Sequence, residues 1–283
     1  MDCNFEYDIG VLLPTRGRTT ALMTSVKSLY DHAADPKSIK LLLAFDQDDS
    51  VGLEYFNTDL KPWLDLIGAE YLALNFVPLG YIRLNEYVNF LAKHVDARWY
   101  LVWNDDAVMT TPHWDNVIRQ YNDQFALLRA ETNHEHPYAI FPILPKKWLE
   151  LTGHISPHQL NDAWTSQVAW MLDVVITIPV MIEHQRFDLT GKNGDNVFMN
   201  RPMLEGNPGH PRDFNHMSWR MRRQDDANKI AHYLEKSGYD LTHFKLGIEN
   251  KINIWEKMLK LDHKGLMKSW SSTDLDHRPC RQN

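Results

Sequence analysis

The chain has 283 residues, 43% of them hydrophobic, and two cysteines, Cys3 and Cys280, near opposite ends; this supports one large core or a core with an appendage and argues against a disulfide framework or a zinc site. The formal charge of −7 is uneven, since residues 1–200 hold 15 Lys and Arg against 26 Asp and Glu while residues 201–283 hold 15 against 11, so the C-terminal part either attracts a polyanion or docks on the acidic remainder. Met1 to Gly10 contains no basic leader, and the longest apolar stretch, Val168 to Ile182, is broken by Asp173; neither export nor a membrane span is expected, and the expected location is cytoplasmic.

Short apolar runs alternating with longer amphipathic ones predict βα units around a mostly parallel sheet. Ile9 to Leu13 reads as the first strand, ended by Pro14, and Thr15-Arg16-Gly17-Arg18-Thr19 as a loop into a helix over about Thr20 to Ala33. Ile39 to Phe45 is the second strand, followed by the acidic turn Asp46-Gln47-Asp48-Asp49-Ser50. A helix lies within Val51 to Leu66, a third strand spans Glu70 to Phe76, and a helix over about Ile82 to Val95 carries Asn85, Tyr87, Val88, Phe90 and Leu91. Trp99 to Trp103 is the fourth strand, and Pro112 starts a helix bearing Trp114, Val117, Ile118 and Tyr121.

The rhythm then loosens. Phe125 to Leu128 and Tyr138 to Pro142 read as strands, Lys146 to Leu151 and Asp162 to Leu172 as helices, and Val174 to Ile182, rich in β-branched residues, as a further strand. Residues 188–218 are dense in Gly, Pro, Asn and His and read as a long loop or lid. Two helices, about Asp225 to Ser237 and Lys251 to Met267, form a C-terminal appendage. The division is therefore a catalytic-sized domain over 1–200 and an extension over 201–283.

Trp103-Asn104-Asp105-Asp106 places two adjacent carboxylates at a strand end, where ligands collect in open α/β sheets. Neighbouring carboxylates repel each other and lose hydration when enclosed, so a cation, a positive partner or a shared proton must compensate; a divalent ion with diphosphate oxygens as co-ligands fits this chemistry, and a polar turn is the plainer alternative. Arg16, Asp46 and the Asp105-Asp106 pair all follow strands, which gathers them along one sheet edge. No Gly-x-Gly-x-x-Gly follows the first strand and no Gly-Lys-Ser/Thr phosphate loop is present, so the usual dinucleotide and triphosphatase cradles are excluded.

These segments resemble, over about residues 8–195, nucleotide-sugar glycosyltransferases of the GT-A fold, in particular inverting family-two-like enzymes and their bacteriophage relatives. Val11-Leu12-Leu13-Pro14-Thr15-Arg16 looks like the first strand and nucleotide-contacting loop, and Phe45-Asp46-Gln47-Asp48-Asp49-Ser50 like the acidic turn beside base and ribose. Asn104-Asp105-Asp106 is similar to the metal-binding DxD-type motif with Asn in its first place, and Thr111-Pro112-His113-Trp114-Asp115 to the Thr-Pro-Gly-Trp-Asp segment that often follows. The resemblance implies a GT-A, Rossmann-like α/β sheet flanked by helices, a Mn²⁺ or Mg²⁺ cofactor, and a nucleotide-sugar donor, by default UDP-linked. It implies Asp106 and His184 at the metal, Thr15, Arg16, Asp46, Asp48, Arg83, Asp105 and Lys192 at the donor, and Asp162 of Asn161-Asp162-Ala163-Trp164 as catalytic base. Asp162 also suits a helix N-cap, and His184 a structural histidine.

Duplex phage DNA with a hydroxymethylated pyrimidine is the preferred acceptor, from the phage-like resemblance and from Arg220, Arg222, Arg223, Lys257, Lys260, Lys264, Lys268, Arg278 and Arg281. Trp219, Trp255 and Trp270 suit base stacking or simple helix packing. Polysaccharide or protein acceptors, a sugar-phosphate nucleotidyltransferase and a non-catalytic binding module are the alternatives. A nucleotidyltransferase calls for a richer Gly, Lys and Arg loop than Arg16-Gly17-Arg18.

Overall fold

In the first two strands, β1 (Tyr7–Thr15) and β2 (Ile39–Asp46), successive residues are apolar, where a half-exposed strand would alternate. A sheet covered on both faces is what such runs require, and the computed structural model, which describes residues 5–134, 136–186 and 210–241, has that arrangement. Leu12, Leu42 and Ala44 face one core layer, and Val11, Leu13, Leu41 and Leu43 face the other, as the two-residue strand period dictates.

The remaining strands are β3 (Glu70–Phe76), β4 (Ala97–Val102), β5 (Ala107–Met109), β6 (Leu127–Thr132), β7 (Ile143–Pro145) and β8 (Val175–His184). They form one eight-stranded sheet in the order β3-β2-β1-β4-β7-β6-β8-β5. β3, β2, β1 and β4 are mutually parallel; β7 is antiparallel to both β4 and β6, β6 runs parallel to β8, and β5 antiparallel to β8. The parallel half is the α/β core expected from the sequence, and the antiparallel strands make the whole sheet mixed. Because β1 pairs with β2 on one side and β4 on the other, strand order reverses at β1, and the carboxyl ends of β1 and β4 flank the switch point where open α/β sheets bind ligands.

On one face lie α1 (Thr19–Asp31), the segment of α2 (Ser50–Tyr55) and α3 (Lys61–Leu66) joined through a π-helical turn at Phe56–Leu60, and α5 (Trp114–Arg119). Leu22, Val26, Leu29, Phe56, Leu60, Leu64, Trp114 and Ile118 fill that layer. The other layer takes Tyr87, Val88 and Leu91 of α4 (Leu84–Ala92), Trp148 of α6 (Lys146–Thr152) and Trp164 and Val168 of α7 (Asn161–Met171). Ala227, Ile230, Ala231 and Leu234 of α8 (Met217–Lys236) pack into that same layer, against α6 and α7.

Several boundaries differ from the sequence reading. β5 was not expected, being three residues long and paired, among the described residues, with β8 alone, while its Met109 N–H donates to Ser28 Oγ of α1 at 2.9 Å. The strand expected over Tyr138 to Pro142 lies at Ile143–Pro145 instead: Ala139 and Phe141 are buried but pair with no strand among the described residues. The strand expected to end at Leu128 continues to Thr132 through a bulge at Ala130/Glu131. Pro112 precedes its helix by a turn, and α8 begins at Met217, eight residues before the expected Asp225. Most of the expected 188–218 loop and the helix over 251–267 lie outside the described residues. Among the described residues, no helix is long and apolar enough to cross a membrane.

Candidate active site

The loop after β1 sends two arginines in different directions. Gly17 lies between them with φ +70°, a left-handed conformation that glycine adopts without steric cost, and its N–H donates to Asp49 Oδ2 at 2.8 Å. Arg16 turns toward the end of β2, donating from Nη1 to Asp46 Oδ2 at 2.7 Å and from both terminal nitrogens to Asp48. Arg18 turns toward the end of β4, where its Nη1 reaches Asp105 Oδ1 at 3.0 Å and Asp106 Oδ2 at 3.1 Å. The hydroxyl of Thr15, the last residue of β1, donates to Asp105 Oδ2 at 2.7 Å.

Asn104 to Ala107 is a turn closed by the Ala107 N–H on the Asn104 carbonyl at 3.2 Å. Ser25 of α1 anchors it, donating to the Asn104 carbonyl at 3.0 Å and accepting the Trp103 indole N–H at 2.7 Å. The plain-turn reading and the paired-acid reading therefore describe the same residues. Both carboxylates are buried. Burial, with the Asp106 charge beside it, pushes the Asp105 carboxyl up to about 6 against the opposing pull of Arg18 and Thr15. Burial also acts to raise Asp106, but His184 and Arg18 outweigh it and hold that carboxyl below the usual range.

His184 arrives through the unexpected strand: the β5–β8 ladder sets Ala107 opposite His184, and the Gln185 N–H donates to the Asp106 carbonyl at 2.8 Å. His184 Nε2 lies 3.2 Å from Asp106 Oδ1. That oxygen has no aligned hydrogen bond among the described residues, and neither has the buried Nδ1 of His184. At the β2 end, Tyr87 donates to Asp46 Oδ1; burial first and this bond second push its phenol up to about 12.

Asp162 occupies the first turn of α7, where a negative charge complements the helix dipole. It is not the N-cap, which is Leu160. Burial pushes the nearby Tyr138 phenol up to about 12, Gln167 and Arg223 opposing and the Asp162 charge adding to the rise. A row of rings joins this corner to the carboxylate pair: His184 to His134 at 5.9 Å, His134 to His136 at 6.0 Å and His136 to Tyr138 at 5.3 Å between centroids.

The structure thus brings Thr15, Asp105, Asp106 and His184 into one cluster, with Arg16, Asp46 and Asp48 in a second cluster across Gly17. Arg83 belongs to neither; it pairs with Glu86 at 2.5 Å on the exposed start of α4. Lys192 lies outside the described residues. The sequence reading missed Arg18 and Tyr87, although Arg18 stands two residues beyond Arg16 in the same loop, a spacing that a glycine turn converts into a second acid partner. Arg223, expected in a basic surface, is buried, stacked over Phe214 at 4.1 Å and Trp164 at 5.4 Å, with Nη1 donating to the Phe214 carbonyl at 2.9 Å.

Among the described residues, no group of three or more His, Cys, Asp and Glu is arranged to hold a metal by itself. A divalent ion that keeps waters and takes substrate phosphates needs only one or two protein carboxylates. Asp106, with Oδ1 lacking an aligned hydrogen bond, and Asp105 beside it fit such an ion, with His184 a borderline third donor.

No family model and no curated protein sequence matches the chain. Solved structures match it in fold. The mannosyltransferase PcManGT from Pyrobaculum calidifontis, in complex with GDP-Man and Mn²⁺, aligns over 89% of this chain and 84% of its own at 11% identity, with a TM-score of 0.50. S. aureus TarS 1-349 in complex with UDP-GlcNAc aligns over 91% of this chain and 77% of its own at 10% identity, with a TM-score of 0.51. The same TarS fragment with UDP gives 91% and 76% at 10% identity and a TM-score of 0.50. At such identities the likeness concerns architecture: the chain has the mixed α/β sheet flanked by helices that these glycosyltransferases have.

Proposed function

We propose that the chain is a glycosyltransferase that moves a sugar from a nucleoside-diphosphate donor to a hydroxyl acceptor. The observation that carries this reading is the convergence of the β1 loop arginines on the acids that end β2 and β4, at the switch point of a sheet shared with enzymes solved with GDP-Man and UDP-GlcNAc. Asp46, positioned by Tyr87 and Arg16, accepts hydrogen bonds from the ribose or the base. Thr15 orients Asp105, and in the donor-free chain Arg18 spans Asp105 and Asp106 at the corner that takes the diphosphate.

Asp106, with Asp105 and His184, would hold a Mn²⁺ or Mg²⁺ ion, which supplies electrostatic stabilisation of negative charge on the leaving diphosphate. In the chemical step, Asp162 accepts the acceptor hydroxyl proton as that oxygen forms its bond to the anomeric carbon. The bond from that carbon to the phosphate oxygen breaks, its electron pair leaving on the β-phosphate. Such a displacement inverts the anomeric centre.

For the acceptor, the proposal is hydroxymethylated pyrimidine in duplex DNA, on the basic balance of residues 201–283. Of the arginines and lysines named for that role, Arg220, Arg222 and Arg223 lie on the described helix α8, Arg223 buried and Arg222 over the Trp219 ring at 4.9 Å. Incubation with a panel of UDP- and GDP-sugars, alone and with hydroxymethylated DNA, plain DNA or glycans, tests both levels. Nucleoside diphosphate released only with hydroxymethylated DNA supports the full reading; release with a glycan alone removes the DNA acceptor; pyrophosphate release from a nucleoside triphosphate and a sugar phosphate favours a nucleotidyltransferase.

A further inference from the structure

One nitrogen of Arg18 bridges two carboxylates. Its Nη1 lies 3.0 Å from Asp105 Oδ1 and 3.1 Å from Asp106 Oδ2, so a positive charge already sits where the carboxylate pair would share a cation. The guanidinium is carried by the residue just before α1, and its side chain is 22% exposed, which leaves it a path to solvent. Arg16 is committed to Asp46 and Asp48 and does not reach this pair.

We propose that Arg18 is a built-in counter-ion: it holds Asp105 and Asp106 in the donor-free chain and transfers to the donor diphosphate when a divalent cation takes over the pair. The inference rests on the nucleotide-sugar reading above and adds an order to it. Two buried carboxylates carry two negative charges, which Arg18 halves and a divalent ion cancels. Both cations together overload the pair, because like charges at contact distance in a poorly solvated site repel strongly. A diphosphate arriving with the ion provides new negative charge for the guanidinium, whose planar fork matches phosphate oxygens. Arg18 therefore makes ion binding depend on donor binding and keeps the empty site from capturing a stray cation.

The test is Mn²⁺ binding by the full chain, followed by the electron paramagnetic resonance signal of the free ion, with and without UDP. The parent is expected to bind Mn²⁺ weakly alone and at least about tenfold more tightly with UDP, each tenfold being about 1.4 kcal/mol. Arg18→Gln is expected to bind Mn²⁺ alone at least about tenfold more tightly than the parent and to lose most of the UDP effect. Arg18→Lys, which keeps the charge without the fork, is expected to fall between them, and it serves as the test if the Gln variant does not melt cooperatively. Mn²⁺ affinity in Arg18→Gln equal to or weaker than the parent's overturns the inference. Binding of UDP to the parent, read in the same titrations by competition with a fluorescent nucleotide, tests the nucleotide-sugar reading separately: UDP bound with Mn²⁺ affinity indifferent to Arg18 leaves that reading standing and removes only this one.

Discussion

Asp105→Asn is expected to make the folded chain more stable at neutral pH while impairing its site. Asp105 is buried and its carboxyl titrates at about 6 in the folded chain, chiefly because burial disfavours the charge. An unfolded aspartate titrates at about 3.9, so the difference of about two pH units corresponds to about 3 kcal/mol. With the folded value raised above the unfolded one, the native state binds the extra proton between them: stability falls as pH rises from about 4 to about 6 and stays lower above that. Asparagine does not titrate, and its carbonyl still accepts from Thr15 while Asp106 keeps Arg18.

An amide N–H left without an acceptor costs about 1 kcal/mol, so the net gain at pH 7 is about 2 kcal/mol, or about 3–4 °C in a chain of this size. At pH 4 the order reverses, the variant being less stable by about 1 kcal/mol. Urea denaturation of parent and variant between pH 4 and 8 measures this. A variant less stable than the parent at pH 7, or a difference that does not change with pH, refutes the reasoning. Removing a functional group that the fold holds at a cost is a recognised route to stability gained and activity lost.

Other outcomes follow from the same geometry. Asp162→Asn is expected to lower turnover by about 10²–10⁴ with donor affinity unchanged, since it removes a proton acceptor and no donor contact; a comparable loss in donor affinity, measured by calorimetry, argues for a binding or structural role. Asp115→Ala is expected to destabilise by about 3–5 kcal/mol, because Asp115 is fully buried and accepts the Ala34 and Asp35 N–H groups at 2.7 and 2.8 Å and Arg119 at 2.8 Å; a change under about 1 kcal/mol in thermal or urea melts contradicts this. Those partners outweigh burial and hold the Asp115 carboxyl below its ordinary range, so its stabilisation is present above about pH 4 and is lost as pH falls through the folded value. Arg16→Ala is expected to weaken UDP-sugar binding about tenfold by freeing Asp48 to rotate and leaving Asp46 held by Tyr87 without its ion pair, and unchanged affinity in calorimetry removes Arg16 from the donor site.

What the sequence disclosed and what it hid divide along physical lines. β1, β2 and β4 were legible because a doubly covered parallel strand must be apolar almost throughout, and Val11 to Leu13 or Leu41 to Phe45 admit little else. β5 and β7 were not, because three-residue strands exist only by virtue of partners distant in sequence, His184 facing Ala107 and Tyr100 facing Leu144. The segment Thr111 to Asp115 was recognised as a motif, yet its work is structural. His113 holds φ +58°, where the resembling segment has glycine, Trp114 Nε1 donates to the Leu29 carbonyl at 2.9 Å, and Asp115 secures the chain after α1. Arg18 was hidden because its partners depend on the sign of φ at Gly17, which only the fold fixes.

The central claim is that the Asp105–Asp106 corner receives the diphosphate of an activated sugar with a divalent ion. The most direct measurement is a crystal structure with UDP and Mn²⁺, its diffraction recorded at the manganese edge. The account predicts an anomalous peak at coordination distance from an Asp106 carboxylate oxygen, with both phosphates beside it and the ribose against Asp46. Nucleotide bound elsewhere on the sheet, or bound at this corner with no manganese signal next to Asp106, contradicts it.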